Sequence, residues 1–100
     1  MDAITLEQGL NKRASHIFRN IEGHFPEDMP AYRKILIDTA LNADNYLGRD
    51  KWGNNWYAQT QGDGIQIWVQ VRNGEIINGG FNNIPRPWNT LTGFARPSPP

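Results

Sequence analysis

The chain has 100 residues, 38% of them hydrophobic, with four Trp and no Cys; this is one domain with a modest core, and it argues against disorder, a disulfide framework and a thiolate metal site. Ten basic and ten acidic residues give a formal net charge of zero, which counts against a general nucleic-acid coat protein but leaves room for a local cationic groove. No apolar run approaches the ~20 residues a membrane helix needs, and no signal peptide opens the chain, so a soluble protein is expected.

Thr5 followed by Gln8 matches a capping box. Leu6, Leu10, Ala14, Ile17 and Ile21 then recur on one face of a helix predicted over 5–22. Gly23 is the expected C-cap, and Pro26 bars continuation. Asp28 is the expected N-cap of a second helix, with Pro30 in its first turn and Tyr32, Ile35, Leu36 and Thr39 as its buried stripe. That helix fades by Asn42, where Asn42, Asp44 and Asn45 form a turn. Tyr46-Leu47-Gly48 starts a first strand, and Lys51 to Asn54 turns into the next.

From Trp52 to Phe81 the pattern is that of short strands. Ile65, Ile67, Val69 and Val71 alternate with Gln66, Trp68 and Gln70, the period of a strand with one buried face. Gln61-Gly62-Asp63-Gly64 and Asn73-Gly74 read as hairpin turns, the latter as type I′. With Thr60 placed opposite Ile65, Trp56 and Ala58 join the apolar face, while Tyr57, Gln59, Gln66, Trp68 and Gln70 share the other. Counting across Asn73-Gly74 sets Val69 against Asn78 and mixes the faces, so a bulge near Gly79-Gly80 is expected. Beyond Phe81, Pro85, Pro87, Pro97, Pro99 and Pro100 make a proline-rich, strand-incompetent tail. The expected fold is α+β in a single domain spanning 1–100: two N-terminal helices on one face of a three- to four-stranded antiparallel sheet.

His16 and His24 are the only histidines, and histidine suits proton transfer near neutral pH. His16 and Arg19, three apart, share a helical face, and Gly23 lets His24 swing towards it. Two histidines and a cation serve phosphodiester cleavage, one taking the ribose 2′-OH proton and the other protonating the leaving 5′ oxygen. An exposed His and Arg on a helix are also ordinary, and His24 beside Phe25 is equally readable as a cap or core residue. Without clustered carboxylates or cysteines the histidines make a poor metal site, so neither metal nor cofactor is expected. Asp50 and Asp63 are explained by turn chemistry. Tyr57 and Trp68 suit stacking on unpaired bases, unless Trp68 packs under the tail. Arg86, Trp88, Thr90 and Thr92 carry groups that bond phosphates and base edges. Together with Lys51 they complete the candidate substrate-binding set.

The runs H-I-F-R-N-I-E-G-H-F-P-E-D, N-Y-L-G-R-D-K-W-G-N-N-W-Y-A, D-G-I-Q-I-W-V-Q-V-R-N-G-E-I-I-N-G-G and P-R-P-W-N-T-L-T-G, in order from His16 to Gly93, resemble the C-terminal toxin domains of polymorphic bacterial toxins. The closest picture is the tips of contact-dependent growth inhibition proteins. Such domains are similar to the barnase/EndoU/colicin/RelE superfamily of RNases. The resemblance implies N-terminal helices on an antiparallel sheet, metal-independent RNase activity often directed at tRNA, and a cognate immunity protein. It also implies a place at the end of a secreted or cell-surface effector that acts in the cytoplasm of a target bacterium, in some cases with an activating host factor. It raises His16, Arg19 and His24 as catalytic residues without saying which histidine is base and which acid. The residues alone also fit another class, a non-catalytic RNA- or protein-binding module using the Tyr57/Trp68 face and the tail.

Overall fold

The computed structural model describes residues 1–94; Arg96, Pro97, Pro99 and Pro100 of the expected tail lie outside the described residues. Helix α1 spans Ala3–Ile17 and α2 spans Pro30–Leu41. Four strands follow: β1 Tyr46–Arg49, β2 Asn55–Thr60, β3 Gln66–Arg72 and β4 Glu75–Asn82. They form one antiparallel sheet in the order β1-β2-β3-β4. This is the α+β arrangement expected, with both helices on one sheet face.

The helix ends differ from expectation. Asp2, not Thr5, caps α1, its carboxylate accepting from the Thr5 backbone N–H at 2.8 Å. The helix therefore starts two residues early. It also ends at Ile17 rather than Glu22: Phe18 takes extended backbone angles, and the chain then turns so that Phe18, His24 and Phe25 are all buried. Gly23 is the point of reversal, at φ 88°, and Ile21 is left exposed rather than in the core stripe. Asp28 does not cap α2. Its carboxylate instead takes two hydrogen bonds from Arg33, at 2.6 and 2.7 Å, and the capping position passes to Met29.

The Asn73-Gly74 turn is as expected, and the other hairpin corrects the expected register. Asn73 and Gly74 have φ of 54° and 75°, both positive as a type I′ turn requires. The loop at Gln61–Ile65 holds one more residue than a two-residue turn. Gln61 and Ile65 pair across it, and Gly64 takes the left-handed position. Each β2 partner is thereby moved by one: Tyr57 faces Val69, and Ala58 faces Trp68. Because side chains alternate along a strand, this single step exchanges the faces of the whole of β2. Trp56 and Ala58 share the face of Trp68, and Tyr57 lies on the helix side. The bulge that repairs β3–β4 is at Ile77, between the pairs Val71–Ile76 and Gln70–Asn78, and not at Gly79-Gly80.

Two cores result. On the helix side Leu6, Leu10 and Ile17 of α1 and Leu36 and Ala40 of α2 pack on Ile67, Val69, Val71 and Ile76. The opposite face has its own cluster of Trp56, Trp68 and Phe94, with Ala58 and Trp88 at its edge. The segment after β4 thus folds back over the sheet. Gly74→Val is expected to lower the melting temperature by about 4–16 °C. A left-handed β-branched residue costs ~1–2 kcal/mol or more, and a domain of this size loses ~4–8 °C per kcal/mol. An unchanged melting curve would mean that the turn tolerates another geometry.

Candidate functional site

The second sheet face is not a flat stacking platform. Trp56 and Trp68 are only 2% and 7% exposed, covered by Phe94 and Trp88. What remains open is a cleft of about 390 Å³ between this cluster and the Ile21–His24 loop. Its lining includes Glu22, His24, Gln70, Asn78, Asn82 and Arg86.

The loop that carries His24 is fixed by the strand beneath it. The Phe81 N–H donates to the Gly23 carbonyl at 3.0 Å, and a side chain at Gly80 would overlap that same carbonyl. Glycine at 80 is therefore what lets the loop lie on β4. His24 is 9% exposed, and its Nδ1 lies 2.7 Å from the Ile17 carbonyl oxygen at the end of α1. A carbonyl can only accept, so Nδ1 carries the proton and Nε2 keeps its lone pair. The ring stands edge-on to Trp68, with centroids 5.7 Å apart. Burial lowers the His24 pKa below the ordinary 6.5; the Ile17 bond acts against this, and the charges of Arg19 and His16 add to it. His24 is thus a neutral imidazole with one defined tautomer at neutral pH.

His16, Arg19 and His24 are close enough for their charges to interact, but only His24 lines the cleft. His16 is exposed in the last turn of α1. Arg19 is half-buried, and its Nε has no hydrogen-bond partner among the described residues.

The binding candidates divide into three groups. Arg86 belongs to the cleft: its backbone N–H and carbonyl bond the Gln66 side chain at 3.0 and 3.2 Å, and its guanidinium reaches the Phe94 carbonyl at 3.1 Å. Lys51, Trp88, Thr90 and Thr92 gather at the far end of the same face. There the Lys51 N–H donates to the Leu91 carbonyl, Trp88 packs on Gly48, and Asn89 caps the Leu91 and Thr92 amides. Tyr57 stands apart, on the helix side, where burial and then the neighbouring Tyr46 raise its pKa. The proposed Tyr57/Trp68 platform is overturned by this register, since the two rings lie on opposite faces and Trp68 is covered.

Asn78 and Glu22 are cleft residues that the sequence pattern does not single out. The bulge at Ile77 brings Asn78 and Asn82 into phase with Gln70 and Gln66. Asp50 has a larger role than turn chemistry gives it. It is 5% exposed and accepts from the Trp52 and Asn54 amides and from Trp56 Nε1, at 2.9, 3.0 and 2.8 Å. Burial alone would raise its pKa, but these donors outweigh burial and hold it below the usual carboxylate range.

A broader groove between the helices is lined by Glu7, Asp28, Arg33, Lys34 and Asp38, whose charges are paired with one another. It offers no comparable reactive group. Among the described residues no three His, Asp or Glu side chains converge as metal ligands, and no helix is long and apolar enough to cross a membrane. No family model, curated protein or solved structure matches this chain.

Proposed function

We propose that the chain is a metal-independent endoribonuclease toxin domain acting on tRNA. The observation that carries the reading is His24: a neutral imidazole with its Nδ1 proton committed to Ile17 and its ring at the wall of a polar cleft beside Arg86. Such a nitrogen is a general base ready for use at neutral pH. In the reaction, Nε2 takes the proton of a ribose 2′-OH, and the 2′ oxygen attacks the adjacent phosphorus. The bond from phosphorus to the 5′ oxygen breaks, and a general acid protonates that oxygen. The products are a 2′,3′-cyclic phosphate and a 5′-OH. His16 and Arg19, within charge-interaction range of His24 but outside the cleft lining, are the acid and a supporting cation in this reading once RNA is bound, while Arg86 in the cleft stabilises charge on the phosphoryl oxygens. The partners that follow are a cognate immunity protein covering the cleft in the producing cell and, in the target bacterium, an activating host factor. The chain is then the tip of a secreted or cell-surface effector.

Incubation of the purified domain with total tRNA in excess EDTA tests this. The expected result is discrete fragments ending in a 2′,3′-cyclic phosphate. Intact RNA after addition of target-cell extract would reject the nuclease.

A further inference from the structure

The cleft is short, and an RNA strand entering it must leave along one of its ends. The end towards Arg72 carries an arrangement that the cleavage chemistry does not use. Arg72 is the last residue of β3 and projects on the cleft face, in phase with Trp68 and Gln70. Its Nε donates to Asn54 Oδ1 at 2.7 Å, and its Nη2 reaches the Trp52 carbonyl at 3.5 Å. Trp52 is 53% exposed, an unusual position for a large aromatic in a turn, and the Lys51 ammonium lies 4.7 Å from its ring centroid. That contact engages one ring face, and the residue as a whole stays more than half exposed.

The charge distribution supports a nucleic-acid role at this end despite a net charge of zero. The helix cations are neutralised: Lys12 and Arg13 pair with Glu75, Arg33 with Asp28 and Glu7, and Lys34 with Asp38. Lys51 and Arg72 form no ion pair among the described residues. Two neighbouring acids have other partners. Asp50 is turned inward onto three N–H donors, and Glu75, opposite Arg72 in the hairpin, is held by α1. Glu7, Asp28, Asp38 and Glu75 are thus engaged by helix cations, and Lys51 and Arg72 are left as two cations without an ion-pair partner among the described residues at this end.

We propose that Lys51, Trp52 and Arg72 form a second RNA-contact site, in which a base of a single-stranded segment stacks on the exposed Trp52 ring and the flanking phosphates meet Lys51 and Arg72. The proposal rests on the nuclease reading for its choice of RNA. Trp68, against which His24 stands, is four residues from Arg72 along β3, or about 13 Å at ~3.3 Å per residue. The site thus holds nucleotides flanking the cleaved bond, not the bond itself. It favours RNA whose bases are unpaired near the cut, because only a free base offers a ring face for stacking.

Two measurements test the proposal. The first is binding of a 2′-deoxy-blocked, non-cleavable octanucleotide, followed by Trp fluorescence and by salt dependence. Trp52→Ala should weaken binding about tenfold, and Trp52→Phe should restore most of it. Lys51→Ala and Arg72→Gln should each flatten the plot of log affinity against log salt by about 0.7. The second is cleavage of a dinucleotide beside an octanucleotide. Trp52→Ala should raise KM for the octanucleotide about tenfold and leave dinucleotide cleavage unchanged. Equal octanucleotide affinity in wild type and the three variants overturns the site, even where the domain cleaves RNA. Loss of binding in the variants of a domain that cleaves nothing upholds the site and rejects only the nuclease.

Discussion

His24→Ala should lower the rate of RNA cleavage by on the order of 100-fold or more, the effect of deleting one acid–base group. The same substitution removes the bond to the Ile17 carbonyl and an edge contact with Trp68, so lost rate alone does not identify a base. The pH profile does. If Nε2 is the base, wild-type activity rises as His24 loses its proton, with a midpoint below 6.5 because burial lowers its pKa. That acid limb should vanish in the variant while the alkaline limb remains. A residual rate with both limbs intact would make His24 structural. His16→Ala should cost a similar factor. The double variant should lose far less than the product of the two, since groups acting as one unit are non-additive. Should His16→Ala keep wild-type activity, His16 is not the acid. Tyr57 cannot take that role from the opposite sheet face.

The same group links stability to acidity. The folded state holds His24 with a pKa below its unfolded value, so the unfolded chain binds more protons as the pH falls below about 6.5. The stability due to the neutral imidazole is fully present above that value and is lost as the pH drops through the folded pKa. The stability gap between wild type and His24→Ala should therefore narrow on acidification below about 6.5.

The elements of this fold were legible because they rest on strong local signals. The alternation through Ile65–Val71, the Asn73-Gly74 turn and the spacing of Leu6, Leu10 and Ile17 each specify an element without reference to the rest. The faces were less legible, because a face depends on counting across a loop, and one extra residue between Gln61 and Ile65 inverts all of β2. This error placed Trp56 with the helices and Tyr57 with Trp68. The position of His24 was only half readable. Gly23 marked a reversal, but that Gly80 admits the reversed loop onto β4 is a tertiary fact with no local pattern. The Ile17 carbonyl, left open where the helix stops, then found its donor seven residues on in the His24 ring.

Deleting everything after Phe81 should abolish activity and strip much of the stability. The sequence suggests only the first effect; the second cluster adds the other. Phe94 and Trp88 cover Trp56 and Trp68, and burial of such side chains contributes roughly 1.5–3 kcal/mol each. The buried Gln66 amide also loses the Asn82 side chain and both backbone groups of Arg86. An unsatisfied buried polar group costs about 1–3 kcal/mol. A total on the order of 5 kcal/mol is a large share of the ~5–15 kcal/mol available to a domain. Trp emission should move to the red and the melting transition should fall steeply or broaden. Two point variants separate the roles that the truncation merges. Phe94→Ala opens a cavity under Trp56 and should cost about 3–5 kcal/mol of stability. Arg86→Ala keeps the backbone bonds to Gln66 and should lower activity with a smaller change in melting temperature. A truncated protein with unshifted emission and wild-type melting would mean that the segment does not cover the tryptophans in solution, and the cleft wall at Arg86 and Phe94 would go with it.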